Sequence, residues 1–401
     1  MDDIVKKQRF VCFFISFSLC FSPIVSSLNV ILNILFEGGS LNTGILYVIY
    51  CVLFAICLFQ NIRYVSKHLF ISLVLILLSL LFTFFFFPKN SVYMWTSAND
   101  FLSNPTYIFL LFNLSAFMVS FYLKDINYFV SVFEKFSYIS VALLTIRFFV
   151  GFILKSSVPE YMTFSYNLLL STTFILLLCI YEFKISRLLF SGVGVFLILF
   201  TGCRGALIGL IIAVVIYVFF MNNLNKKKKY SLMFVLLLLL FVLGVFYYPI
   251  FNALNDKLTG IGLSSRTLEK LLSSSFLDDS SRLSILKKTI SQVDFFGHGL
   301  WGDRVLLDGK YPHNIFAEIL VDYGLILGSA MIIIVFFYII FGLYKSKNKM
   351  CLFLCALISA GFVKLLMSGS FLNQETAFYV LLGICVNICS NTTNHSIFID
   401  E

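Results

Sequence analysis

The chain has 401 residues, 60% hydrophobic and only 12% charged, with a mean hydropathy of +0.97. So few charges cannot cover a water-soluble surface, since ordinary globular domains carry about 25% charged residues. The excess of 29 Lys+Arg over 20 Asp+Glu is therefore read against apolar spans, where cytoplasmic loops gather cations, and not as a nucleic-acid surface. An all-α, polytopic membrane protein is predicted. The ten cysteines lie in apolar runs or, for Cys203, at the break of one, and no CxxC occurs. They read as small hydrophobes, not as a zinc or disulfide framework.

A spanning helix needs about 20 mostly apolar residues. In chain order, such stretches run near Phe10–Ile31, Thr43–Gln60, Leu69–Phe87, Thr106–Leu123, Phe136–Leu154 and Tyr166–Phe183. The first follows Lys6, Lys7 and Arg9 but lacks a small-residue cleavage site, so it reads as a retained anchor. The next run, Leu188–Phe220, would make a helix of ~50 Å, too long for a ~30 Å hydrocarbon core. Lys184 and Arg187 precede it and Lys226 to Lys229 follow it, so both flanks suit the cytoplasm. It is predicted to enter and return as a hairpin whose tip is Thr201-Gly202-Cys203-Arg204-Gly205. Ser231–Ile250, Ile319–Phe341, Met350–Met367 and the shorter Thr376–Ser390 complete about 12 transmembrane helices, with both termini cytoplasmic.

Charge bias supports that orientation. Cytoplasmic segments collect Lys6, Lys7, Arg9, Arg63, Lys67, Lys124, Lys135, Lys184, Arg187, Lys226 to Lys229, Lys345, Lys347 and Lys349. Short outer loops collect only Lys89, Lys155 and Arg204. Three regions result: spans one to nine over residues 1–250, one large outer loop over 251–312, and spans ten to twelve with a cytoplasmic tail over 313–401. The loop is far longer than ordinary helix connections. Within Ser281–Val293, Leu283, Leu286, Ile290 and Val293 recur at helical spacing, and Asp278, Asp279 and Ser280 offer a start. Ser265–Leu272 is a second, weaker helix, and Gly297 to Gly302 is a turn-rich break.

Ionisable groups inside apolar spans are costly and point to function unless they can reach an interface. Arg147 lies about two turns inside its span, while Lys364 is near enough to an outer end to snorkel. Outside the spans, Arg204 sits at the hairpin tip, Arg266 and Arg282 begin loop helices, and His313 stands where the loop re-enters before Asn314 and Glu318. Guanidinium forks beside helix N-termini suit a diphosphate. A histidine at a water–membrane boundary can act as a general base near neutral pH; the plainer alternative is a cap or loop residue. His68 and His298 read as loop histidines. No zinc-ligand pair, Walker loop, nucleophile elbow or dinucleotide fingerprint is present, and Asp278-Asp279 alone does not make a metal site, so no metal and no cofactor are expected.

Several of these segments together resemble one family. Thr201-Gly202-Cys203-Arg204-Gly205-Ala206 is similar to a short hairpin-tip segment of O-antigen polymerases and ligases, with Cys203 where Ser or Thr is common. Ser281-Arg282-Leu283, Phe296-Gly297-His298-Gly299, His313-Asn314 with Glu318, and Tyr323-Gly324-Leu325 resemble their large periplasmic loop and the helix after it. The resemblance implies a metal-independent glycosyltransferase of the bacterial inner membrane that uses glycans on undecaprenyl diphosphate. By position it implies diphosphate binding by Arg204 and Arg282 and a base role for His313; it does not reach Arg147, Arg266 or Lys364. Donor and acceptor would both be undecaprenyl-diphosphate-linked oligosaccharides, with membrane lipids and a polysaccharide chain-length regulator as further partners. The preferred expectation is an O-antigen polymerase. A ligase that transfers glycan to lipid A-core is the alternative. A flippase or transporter is less favoured, because the polar mass is one off-centre loop and not a cavity between repeated halves.

Overall fold

In the computed structural model, residues 2–36, 43–61, 66–95, 104–155, 161–201, 203–220, 252–253, 256–257 and 280–391 are described. Among them the chain is helical and contains no strand. The principal helices are α1 (Asp2–Leu35), α2 (Thr43–Asn61), α3 (Lys67–Phe86), α4 (Pro105–Ser120), α5 (Ile126–Lys155), α6 (Tyr161–Tyr181), α7 (Ile185–Thr201) and α8 (Arg204–Phe220). After the hairpin come α9 (Ser280–Ser291), the single turn α10 (Gly302–Leu306), α11 (Ile315–Lys345), α12 (Asn348–Met367) and α13 (Thr376–Asn391). Among the described residues, seven helices are long and apolar enough to cross a membrane, and α4, α7, α8 and α13 are shorter apolar helices. These match eleven of the twelve expected crossings; Ser231–Ile250 lies outside the described residues, as do the helix expected at Ser265–Leu272 and its Arg266.

The long apolar run breaks where a turn was expected. Helix α7 ends at Thr201 and α8 starts at Arg204, each with 17 residues. The contacts sort the helix ends into two groups. At one end Thr106 Oγ1 donates to the Met94 carbonyl (2.8 Å), the Ser165 and Thr201 hydroxyls meet at 2.6 Å, and Asn90 holds the backbone of His298 and Leu300. At the other, Gln8 donates to the Tyr122 carbonyl (3.1 Å), Arg187 pairs with Glu134 (2.7 Å) and Lys349 donates to Asn127 (3.0 Å). Helices α1 to α8 and α11 to α13 alternate between these groups, so the hairpin tip shares an end with α9, α10 and the start of α11.

The interior between them is dense and aromatic. Phe129, Phe133, Phe174 and Phe353 from α5, α6 and α12 meet edge to face at centroid distances of 4.6–6.1 Å. Such contacts add to simple burial and fix neighbouring helices against each other. The hydroxyl of Tyr50, fully buried, lies 2.6 Å from Ser18 and 3.0 Å from Ser115, which satisfies a polar atom that hydrocarbon would otherwise penalise.

Among the described residues two helices carry π-turns, Phe109–Leu114 in α4 and Ile358–Val363 in α12. Each inserts extra backbone into a turn and so re-aims the side chains of the next turn. Helix α9 forms as its pattern predicts but does not bury the apolar stripe: Leu283 and Ile290 are exposed, while Thr289 is buried. A helix at a membrane surface can lay such a stripe into the lipid interface in place of a protein core.

Candidate active site

Helix α11 is interrupted at Gly324, whose φ of 77° and ψ of 172° are non-helical. A break in a membrane helix frees backbone groups that must be satisfied inside the protein. The loop after α9 does this. His298 N–H donates to the Val321 carbonyl (2.9 Å), Gly299 N–H to the Asp322 carbonyl (2.8 Å), and Leu325 N–H to the Asp294 carbonyl (2.8 Å). Gly297 and Gly324 face each other so closely that a Cβ on Gly297 would lie 2.3 Å from the Gly324 nitrogen. The loop is held from its other side by α3 and the turn after it: Thr83 Oγ1 accepts from Leu300 N–H (2.9 Å), and Asn90 donates to the carbonyls of His298 and Leu300 (2.8 and 2.9 Å).

Below this strap lies a buried charge cluster. Arg304 Nη1 donates to both Asp303 carboxylate oxygens (2.6 and 2.8 Å) and to Glu318 Oε1 (2.9 Å), and Nη2 donates to the Ser370 hydroxyl, which also bonds Glu318. Asp303 N–H donates to Asp322 Oδ1 (3.2 Å). Oxygens of Asp303, Glu318 and Asp322 fall within 4.8 Å of one another, a spacing that a cation could bridge. The positive charge there is supplied by Arg304, which already takes two of the three. Burial drives the Asp303 carboxyl up from its ordinary value, with Arg304 pulling the other way. Asp322 Oδ2 is buried and makes no hydrogen bond among the described residues.

The cluster reaches His313 through one ring. Arg304 lies over Tyr311 at 5.6 Å, and the Tyr311 ring centroid is 4.2 Å from that of His313. His313 has φ 55°, a left-handed conformation uncommon outside glycine, asparagine and aspartate. It is not the cap of α11. Asn314 fills that place, its Oδ1 accepting from the N–H of Phe316 (3.0 Å) and Ala317 (3.2 Å). The half-buried imidazole is thereby held beside the helix entry without serving it.

Of the predicted diphosphate- or substrate-binding residues Arg204, Arg282, Arg266 and Arg147, the first two lie at the same end. Arg282, in the first turn of α9, donates Nη1 to the Met367 carbonyl at the end of α12 (3.3 Å) and directs Nη2 to the Met162 sulfur (3.6 Å). Arg204 opens α8 beside Cys203, whose backbone carbonyl accepts from the N–H of Ala206 (3.1 Å) and Leu207 (3.2 Å). Cys203 thus stands at the N-terminal boundary of α8, the place where Ser or Thr is common. A Cβ on Gly205 would meet the Tyr166 hydroxyl and come within 3.4 Å of Met367 Cβ, so the hairpin tip packs on the α6–α12 surface that Arg282 touches. Arg282 acts electrostatically on Tyr166, Cys203 and Tyr311, which ties the tip, the α9 start and the His313 loop to one region.

Arg147 is elsewhere. It is buried between α1 and α6, 3.5 Å from Ser26 Oγ and 5.9 Å from the Phe164 ring. Lys364 Nζ is 2.8 Å from Glu375 Oε2 and 5.7 Å from the Tyr166 ring. Sequence reading missed Asp303, Arg304, Ser370 and Glu375. The DR pair in the loop and the lone Glu375 between spans were signals, but nothing local separates them from solvated loop charges. A cavity of about 280 Å³, lined by Phe86, Phe87, Lys89, Asn90, His298 and Leu306, opens at the strap and includes none of the predicted site residues.

Residues 188–332 match the family model described as O-Antigen ligase. This match supports the O-antigen polymerase and ligase family for residues 188–332 of the chain. The matched segment takes in the hairpin, α9, the strap, Asp303, Arg304, Glu318 and Asp322 of the charge cluster, His313 and the first half of α11; Arg147, Lys364, Ser370 and Glu375 fall outside it. No curated protein and no solved structure matches the chain. Members of this family are glycosyltransferase-like enzymes of the membrane that act on lipid-linked oligosaccharides.

Proposed function

We propose that the protein is an O-antigen polymerase that joins undecaprenyl-diphosphate-linked repeat units at the periplasmic face of the inner membrane. The observation that carries this reading is the convergence of the Arg204 hairpin tip, the Arg282 helix start and the His313 loop at one end of the helix bundle. An acceptor sugar hydroxyl attacks the anomeric carbon of the donor glycan. His313 takes the hydroxyl proton, the new glycosidic bond forms, and the bond from the anomeric carbon to the phosphate oxygen breaks. Arg204, Arg282 and the N-terminus of α8 stabilise the charge that appears on the departing diphosphate. Preorganised cations can meet that charge without a metal ion, and the scheme is metal-independent.

The family description names the ligase, which makes transfer to lipid A-core the second reading. A glycan profile of a deletion strain separates the two. Lipid A-core bearing a single repeat unit is the result expected for loss of a polymerase. Polymer stranded on undecaprenyl diphosphate would instead assign the ligase.

A further inference from the structure

An ammonium on an apolar helix needs a reason to be there, and Lys364 has two structural oddities beside it. The π-turn Ile358–Val363 ends immediately before it and re-aims its side chain. Its partner Glu375 is buried in the short connection to α13, with its N–H held by Asn113 Oδ1 (2.9 Å) from the second π-turn, in α4. Both irregular turns therefore converge on this pair. The position is also telling. Lys364 lies over the Tyr166 ring, and Met367, one helical turn further along α12, is the residue whose carbonyl Arg282 takes. An ammonium donates three hydrogens, of which Glu375 takes one. Its side chain keeps 23% exposure.

We propose that Lys364 is a third phosphate-binding cation, selective for the departing diphosphate over the intact donor and held in place by Glu375. This rests on the glycosyl-transfer reading above. A diphosphate esterified at both ends carries two negative charges, which Arg204 and Arg282 match. When the bond to the anomeric carbon breaks, its electron pair stays on the terminal phosphate, which then approaches two charges of its own. A cation that meets only this extra charge favours the transition state over the ground state and raises turnover more than affinity. Glu375 keeps Lys364 fixed and partly neutralised until that charge appears.

The test measures binding of two probes to the purified full-length protein in nanodiscs. One is undecaprenyl diphosphate; the other is the same lipid capped by a single N-acetylhexosamine. Because Lys364→Met alone strands a buried carboxylate, the informative variant is the double change Lys364→Met with Glu375→Gln, which removes both charges. Undecaprenyl diphosphate is expected to bind about tenfold or more weakly to the double variant, the loss typical of one charge-assisted hydrogen bond. The capped lipid should bind within about threefold of wild type. Equal affinity of variant and wild type for the uncapped lipid would overturn the proposal, and so would equal losses for both probes, since a merely structural pair predicts that. Wild-type protein that binds neither probe would instead remove the glycosyl-transfer reading beneath it.

Discussion

His313 sits in a left-handed backbone conformation just before a helix that Asn314 caps. That arrangement makes His313→Asn unusually informative, because asparagine tolerates positive φ and keeps the loop while removing the imidazole. The variant should reach wild-type levels yet lose about 10²–10⁴-fold in transfer, the range typical of a lost general base. Activity within a few-fold of wild type would take His313 out of the mechanism. Arg282→Lys keeps charge but loses the fork and should also lower polymer yield strongly at unchanged expression. A second pair of substitutions addresses the Arg304 cluster. Glu318→Gln weakens the compensation of a buried guanidinium and should cost about 3 kcal/mol or more in thermal-unfolding measurements. Asp322→Asn retains an oxygen for the Asp303 N–H and removes a third carboxylate that one arginine cannot balance, so it should be neutral or stabilising. A severe loss in Asp322→Asn would show that the uncompensated carboxylate itself is needed.

At the scale of elements, the strap and the broken helix form one unit that hydrophobicity alone does not reveal. The apolar run predicts a continuous span at Ile319–Phe341, yet Gly324 opens it and Gly297 fills the opening. The glycine-bearing segments 296–299 and 323–325 were both visible in the sequence as parts of a family resemblance; that they touch was not, since nothing in either encodes the other's position. The hairpin was legible for a different reason. A 33-residue apolar run between two basic flanks has one simple solution in a bilayer, and α7 and α8 realise it. The π-turns left no trace in composition, because residues such as Ile358–Val363 suit an ordinary α-helix equally well. Gly297→Ala and Gly324→Ala each place a Cβ against backbone at positive φ, and each should cost roughly 3 kcal/mol or more. Gly192→Ala, with nothing within 4 Å of the added carbon, should leave the melting temperature unchanged or raise it. Parallel unfolding curves of the three variants check this.

For the whole molecule, the internal contacts separate the helix ends into two groups but carry no sign; orientation comes from the charges. One group holds the proposed site and, by sequence, few basic residues in short loops, while the other holds the Arg187–Glu134–Glu182 clamp and neighbouring lysines. Because positive charge resists transfer across the membrane, we propose that the clamp end faces the cytoplasm and the site end the periplasm. Two surface lysines report on this directly. Lys288 on α9 and Lys184 between α6 and α7 have side chains 53% and 51% exposed, so cysteine at either is accessible to reagent from its own side. In a background without the native cysteines, Lys288→Cys in intact spheroplasts should react with a membrane-impermeant thiol reagent, and Lys184→Cys should react only after permeabilisation. The reverse pattern would turn the bundle over. The His313 site would then face the cytoplasm, on the side where lipid-linked repeat units are assembled and not where they are joined, and the polymerase reading would fall with the orientation.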